Sequence, residues 1–144
     1  MSIISGLQSF VAGYSELDND AIVSVDQLGA LAAEYAIVPL PGARVLEGYI
    51  NGGSLREYPF ALQSKEYTAD ELTRLATSEF FEGFADWLET QTAAGSLPTL
   101  GTGQTATRIE ATGWAHLYQI GQSDVGIYQI MCRLEYEQAA PSGA

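Results

Sequence analysis

Apolar residues near the start recur at steps of three and four: Ile3, Ile4, Leu7, Phe10, Val11 and Tyr14. That spacing puts them on one side of a helix and predicts an opening helix with a single apolar face, despite Gly6. The chain's own sheet is the expected cover for that face. Glu16, Asp18, Asn19 and Asp20 then predict an exposed turn; they lack the longer loop and closing bidentate Glu of an EF-hand, so calcium is not expected there. Residues 21–34 support two readings. Asp26 suits the cap of a short helix through Leu28, Leu31 and Ala32, whereas Ile22, Val23 and Val25 favour extended chain.

From Tyr35 the pattern is that of strands. Tyr35–Leu40 reads as one, with Pro39 placing its end at an edge or just outside the ladder, because proline has no amide hydrogen to donate. Pro41-Gly42 turns the chain into a second strand, Val45–Ile50. Asn51-Gly52-Gly53 is the strongest turn signal in the sequence, since Asn and Gly adopt positive backbone angles readily, and it joins that strand to Leu55–Ser64 as a hairpin. Within Leu55–Ser64, alternation places Tyr58, Phe60 and Leu62 on one face and Leu55, Glu57, Pro59, Ala61 and Gln63 on the other.

Thr68 and Glu71 have the spacing of a capping box, and Leu72, Leu75 and Ala76 follow as an apolar face. A break near Thr77-Ser78 is expected, and then a second helix with Phe80, Phe81, Phe84, Trp87 and Leu88 at helical steps. Opposite them lie Glu79, Glu82, Asp86 and Glu89. The aromatics read as core that holds the helix to a sheet, and the acids as a solvated stripe. Leu97-Pro98 opens a loop through Gly101 and Gly103. In the next strand Thr105, Thr107, Ile109 and Ala111 alternate with Ala106, Arg108, Glu110 and Thr112. Trp114–Ile120 and Val125–Tyr136 form a closing antiparallel pair around residues 121–124. In its last strand Tyr128, Ile130, Cys132, Leu134 and Tyr136 form the core face, with Ile127, Gln129, Met131, Arg133 and Glu135 opposite.

These elements predict an α+β fold: a mostly antiparallel or mixed sheet with an N-terminal helix and a central helix pair packed on one face. Residues 1–138 are expected to be one domain and residues 139–144 a flexible C-terminal tail. With 144 residues, 47% of them hydrophobic, the chain is long enough for one proper core. Phe80, Phe84, Trp87, Tyr128, Cys132 and Leu134 are the side chains expected to form it.

Charge narrows the function. Eighteen acidic residues against six basic ones give a formal charge of −12, which argues against general affinity for nucleic acid or anionic membranes. A passage through which DNA moves without being gripped is compatible with it. The single cysteine, Cys132, has no internal disulfide partner, which fits a reducing compartment, and the opening MSIISGLQSF has neither a basic leader nor a long apolar run. The expectation is a protein made in the cytoplasm, with no membrane segment.

Chemistry is scarce. The only histidine, His116, and Cys132 fall on neighbouring strands, a placement that makes a nucleophilic dyad conceivable. A strand cysteine among apolar residues is ordinarily inert, and no further ligands converge for zinc. Gly101-Thr-Gly103 lacks the G-K-[ST] ending and following helix of a phosphate loop. No catalytic residue, metal or cofactor is expected, and the chain reads as not an enzyme. Surface for contact is what remains: the edges of the sheet, and the loop from Gly95 to Thr107, rich in Gly, Ser and Thr.

Several segments carry a resemblance: Ile37-Val-Pro39-Leu-Pro41, Tyr49-Ile-Asn-Gly-Gly-Ser-Leu-Arg56, Phe60-Ala61 with Ser64, Phe80-Phe-Glu-Gly-Phe-Ala-Asp-Trp87, Leu97-Pro98, and Tyr128 through Cys132-Arg133-Leu134 to Tyr136. In this order they resemble the small minor capsid proteins of long-tailed phages and prophages of Gram-positive bacteria, regarded as tail-terminator-like or head-tail joining proteins. The resemblance spans roughly residues 35–137. It implies a subunit of a six-fold ring in the virion, at the head-tail junction, that caps the tail tube and docks it to the head. Its partners would be copies of itself, the tail tube protein and head-tail connector proteins, with DNA passing through without specific binding. On that reading the contacts between subunits or to the tube are expected at Asn51, Gly52, Gly53 and Arg56 in the first hairpin and at Leu97, Gly101 and Gly103 in the loop before the next strand. The alternatives are a head-side connector or stopper, an accessory minor capsid protein, or an acidic cytosolic inhibitor that binds a basic protein.

Overall fold

The computed structural model describes residues 3–14, 23–25, 35–42, 44–67, 71–120 and 125–140. They form helix α1 (Ile3–Val11), strands β1 (Val23–Val25), β2 (Tyr35–Pro39), β3 (Val45–Gly48) and β4 (Ser54–Tyr67), helix α2 (Glu71–Ala94), and strands β5 (Gln104–Ala111), β6 (His116–Ile120) and β7 (Val125–Gln138). This is the α+β class expected. The acidic turn at 16–20, the capping Thr68, the turn at 121–124 and residues 141–144 of the tail lie outside the described residues. So does 26–34, while Val23–Val25 takes the extended reading.

The backbone of the sheet is the antiparallel ladder of β4 and β7, each 14 residues long, paired from Ser54 opposite Gln138 to Tyr67 opposite Val125. Each has two shorter strands on its outer edge. β4 carries β3 at residues 54–56 and β2 at 60–64. β7 carries β5 at residues 132–138 and β6 at 126–129. β1 adds to β2 in parallel, which makes the sheet mixed. At the end where the chain leaves β7, the strand order is therefore β3, β4, β7, β5, with β3 and β5 on opposite edges.

Alternation decides which face is covered. Phe60, Leu62, Ile130, Cys132 and Leu134 are buried against Leu7 and Val11 of α1 and Phe81, Phe84 and Leu88 of α2. Each large side chain removed from water in this way contributes about 1.5–3 kcal/mol. Phe80, Trp87 and Tyr128 are partly buried and pack around that cluster. Trp87 meets Phe10, Tyr14 and Phe84, with ring centroids 4.9, 5.2 and 5.9 Å away, so its ring contacts tie α2 to the α1 segment rather than to the sheet.

Three features differ from expectation. The helix pair is one continuous helix, α2, with no break at Thr77-Ser78. Thr and Ser cost only a few tenths of a kcal/mol each in a helix interior and remove no backbone hydrogen bond, so burial of Phe81, Phe84 and Leu88 carries the helix through. β3 stops at Gly48, and Tyr49–Gly52 belong to the turn. In β5 a bulge falls between Ala106 and Arg108, opposite Tyr136 and Glu135. The extra residue, Thr107, resets the alternation, so Ala106 joins Ile109 and Ala111 on the core side while Thr105 and Thr107 stay exposed.

Candidate functional site

The two loops singled out as contact surfaces converge on one end of the sheet. In the hairpin, the Tyr49 amide donates to Gly53 O at 2.8 Å, the Gly52 amide to Tyr49 O at 3.0 Å, and the Gly53 amide to Asn51 Oδ1 at 2.9 Å. Gly52 takes φ +90°, the left-handed conformation that makes glycine the fitting residue there. Across the sheet, Gly101 O accepts from the Gln104 amide at 3.1 Å and closes a turn around Gly103, φ +78°. The end of β7 lies between them. Ala139 donates to Gly103 O at 2.8 Å, and Gln104 Nε2 donates to Gln138 Oε1 at 3.0 Å. A shallow cavity of about 200 Å³ lined by Tyr49, Asn51, Gly53, Gly103, Glu137 and Gln138 separates the two turns.

Asn51, Gly52, Gly53, Gly101 and Gly103 thus share one end of the molecule. Arg56 stands beside the hairpin, its Nε donating to Ser54 Oγ at 2.9 Å. Leu97 does not belong with them: together with Pro98 it lines a groove of about 210 Å³ against Gly6 and Phe10 of α1.

Sequence reasoning missed the apolar character of the hairpin. Every residue of β3 is exposed, and Val45, Leu46 and Tyr49 are 50, 41 and 36% exposed, while Ile50 is fully so. The signal was present: Val45-Leu46 and Tyr49-Ile50 are apolar in adjacent positions, so an extended chain shows them on both faces, unlike a strand with one wet side. Tyr49 has its phenol pKa held above the ordinary value, by desolvation first and then by the nearby charges of Glu137 and Glu47. Trp114, 78% exposed in the connection between β5 and β6, is a second uncovered aromatic.

The face of the sheet opposite the core is polar around Arg133, although Met131 stands 42% exposed on it. Arg133 donates to Glu110 Oε1 through Nε at 3.1 Å and Nη2 at 2.8 Å, and also reaches Glu57 at 3.5 Å and Glu135 at 3.4 Å. Arg108 holds the other oxygen of Glu110 at 2.7 Å. The hydrogen bond to Glu110 is the main cause holding the Arg133 guanidinium in its charged form. Beside it Gln63 Nε2 donates to Gln129 Oε1 at 3.1 Å, and Gln129 Nε2 lies 3.3 Å from His116 Nε2. If that contact is a hydrogen bond, His116 accepts through Nε2 and carries its proton on Nδ1, which faces Trp114 O at 3.5 Å.

His116 and Cys132 are not brought together. His116 pairs with Gln129 on the open face, whereas Cys132 lies among core residues, 1% exposed, with its thiol pKa pushed up by burial. Among the described residues no group of three or more His, Cys, Asp or Glu side chains is placed to hold a metal, and no helix is long and apolar enough to cross a membrane. The largest cavity described, about 390 Å³, is an open groove between the C-terminal end of α2 and β5, lined by Glu89, Thr92, Ala93, Arg108 and Ile109 among others.

No protein-family model and no curated protein matches the chain.

Proposed function

We propose that this chain is a structural, non-enzymatic subunit that assembles with copies of itself into a ring at the joint between head and tail of a long-tailed phage or prophage particle. The observation that carries this reading is the hairpin of residues 44–53. It lies on the sheet's edge, paired with β4, with Val45, Leu46, Tyr49 and Ile50 exposed. An uncovered apolar arm on a highly charged chain marks a contact surface. The resemblance supplies the kind of assembly, and its motifs fall on the hairpin, the central ladder and α2. The acidity suits a lumen that DNA crosses without adhering.

Light scattering across a concentration series, with negative-stain imaging of the heaviest species, tests the proposal. Rings with a mass of about six subunits are expected, closed by a repeated head-to-tail contact. A monomer at every concentration overturns the ring.

A further inference from the structure

We propose that the ring's joint is made by the β3–β4 hairpin of one copy docking on the exposed face of α2, and in the groove beside its C-terminal end, in the next copy. This rests on the self-assembling reading above and names the two surfaces that meet.

Charge leads to the pairing. A chain with a net charge of −12 repels its own copies, so association needs a place where opposite charges meet. Among the described residues Arg108 and Arg133 are spent on Glu57, Glu110 and Glu135 within the subunit. Arg44 and Arg56, which flank the uncovered apolar arm, have no carboxylate within ion-pair distance there. α2 presents the converse surface. Glu79, Glu82, Asp86 and Glu89 are all exposed, none is ion-paired among the described residues, and they follow one another at steps of three, four and three. Like charges at those spacings repel one another along a helix, and a cationic partner relieves that repulsion.

Shape leads to the same surfaces. The acidic stripe runs into the groove of about 390 Å³, with Glu89 and Ala93 on its wall, enough room for an aliphatic side chain such as Ile50. Simple strand addition is blocked on that edge, because Thr92 Oγ1 donates to Ile109 O at 2.8 Å and accepts from the Ile109 amide at 3.1 Å. The arm therefore docks against side chains rather than extending the sheet. β3 and β5 lie on opposite edges of the sheet, so an arm on one edge and a receiving groove by the other make a heterologous contact. Such contacts close a ring where the rotation from copy to copy sums to a full turn.

A charge exchange tests the joint without depending on the stability of either variant. Arg44→Glu alone and Glu89→Arg alone are each expected to assemble about tenfold more weakly than wild type by light scattering, since each sets like charges against each other. An equimolar mixture of the two is expected to restore assembly, because every hairpin then finds an opposite charge on the neighbouring α2. Disulfide trapping gives a second readout, because the native Cys132 is buried. Ile50→Cys with Ala93→Cys should give a covalent ladder under mild oxidation, and either change alone should give none. Disulfide dimers from Ile50→Cys alone would place hairpin against hairpin and overturn the joint. A wild type that forms rings while the mixture fails to recover and no ladder appears overturns the joint and leaves the ring standing. A wild type that stays monomeric at every concentration overturns both.

Discussion

Gly83 sits inside α2, where replacement of glycine by alanine ordinarily stabilises a helix by about 1 kcal/mol. Here the opposite sign is expected. A Cβ at position 83 would lie 2.7 Å from the Tyr14 hydroxyl oxygen, several tenths of an ångström inside ordinary contact. Tyr14 has little room to give. It is 4% exposed, its ring lies 5.5, 5.4 and 5.2 Å from those of Phe80, Phe84 and Trp87, and its hydroxyl donates to Phe80 O at 3.2 Å. Moving it gives up that hydrogen bond, about 1 kcal/mol, and weakens ring contacts that are together worth about 1–2 kcal/mol more. Against the helix gain, Gly83→Ala should lose about 1–2 kcal/mol net.

The assay is a double-mutant cycle read by urea denaturation, with Tyr14→Phe as the second change. Removing the hydroxyl removes the atom the new methyl meets, so in the Tyr14→Phe background Gly83→Ala should become neutral or stabilising by up to about 1 kcal/mol. A reversal of sign between the two backgrounds ties the effect to this contact. If Gly83→Ala stabilises the parent protein, or destabilises both backgrounds equally, then Tyr14 is not what makes glycine necessary in α2.

Phe84→Ala should cost about 3–5 kcal/mol, because the side chain is wholly enclosed, and Trp87→Ala measurably less, because its ring is only partly covered; denaturation midpoints in the reverse order would contradict the packing described. Cys132 should fail to react with Ellman's reagent at pH 8 while the protein is folded and react fully in denaturant, since burial disfavours the thiolate; prompt labelling of the native protein would place the sulfur elsewhere. Arg133→Gln should destabilise by about 1–2 kcal/mol at low ionic strength, more than one surface pair is worth, because Glu57, Glu110 and Glu135 lose a common partner; the deficit should narrow as salt is added, and a deficit indifferent to salt would argue against a charge effect.

The fold was legible where period and turn chemistry agreed. Asn51-Gly52-Gly53 dictates its hairpin locally, and the alternation through Phe60 and Leu62 and through Ile130, Cys132 and Leu134 gives the core face of the central ladder before any partner strand is known. Periodicity failed where one residue changes the count. The bulge at Thr107 is invisible to a pattern of threonines and alanines, because neither type declares which side is buried. The supposed break at Thr77-Ser78 shows the converse: local propensity is a weak preference, and the apolar face that follows overrides it. Gly83 carried a signal that was passed over, since a glycine amid aromatics in a helix marks a place where another group approaches the backbone.

The proposed contact surface was half legible for a related reason. Turn residues announce a loop's shape, so Asn51, Gly52, Gly53, Gly101 and Gly103 pointed to the end of the sheet that carries the hairpin, while the side chains proposed to make contact are their apolar neighbours. Val45, Leu46, Tyr49 and Ile50 look like ordinary strand residues until the sheet is assembled and they are left exposed on it. Exposure is a property of the whole fold and cannot be read from four residues alone. The same holds for charge. Eighteen acids in the sequence give a repulsive field, but only the structure separates Glu57, Glu110 and Glu135, which Arg133 holds, from the row on α2 that is ion-paired with none of the described residues. Self-association of so charged a protein is favoured where cations are kept out of internal pairs, and among the described residues the arginines beside the exposed hairpin, Arg44 and Arg56, have no carboxylate within ion-pair distance.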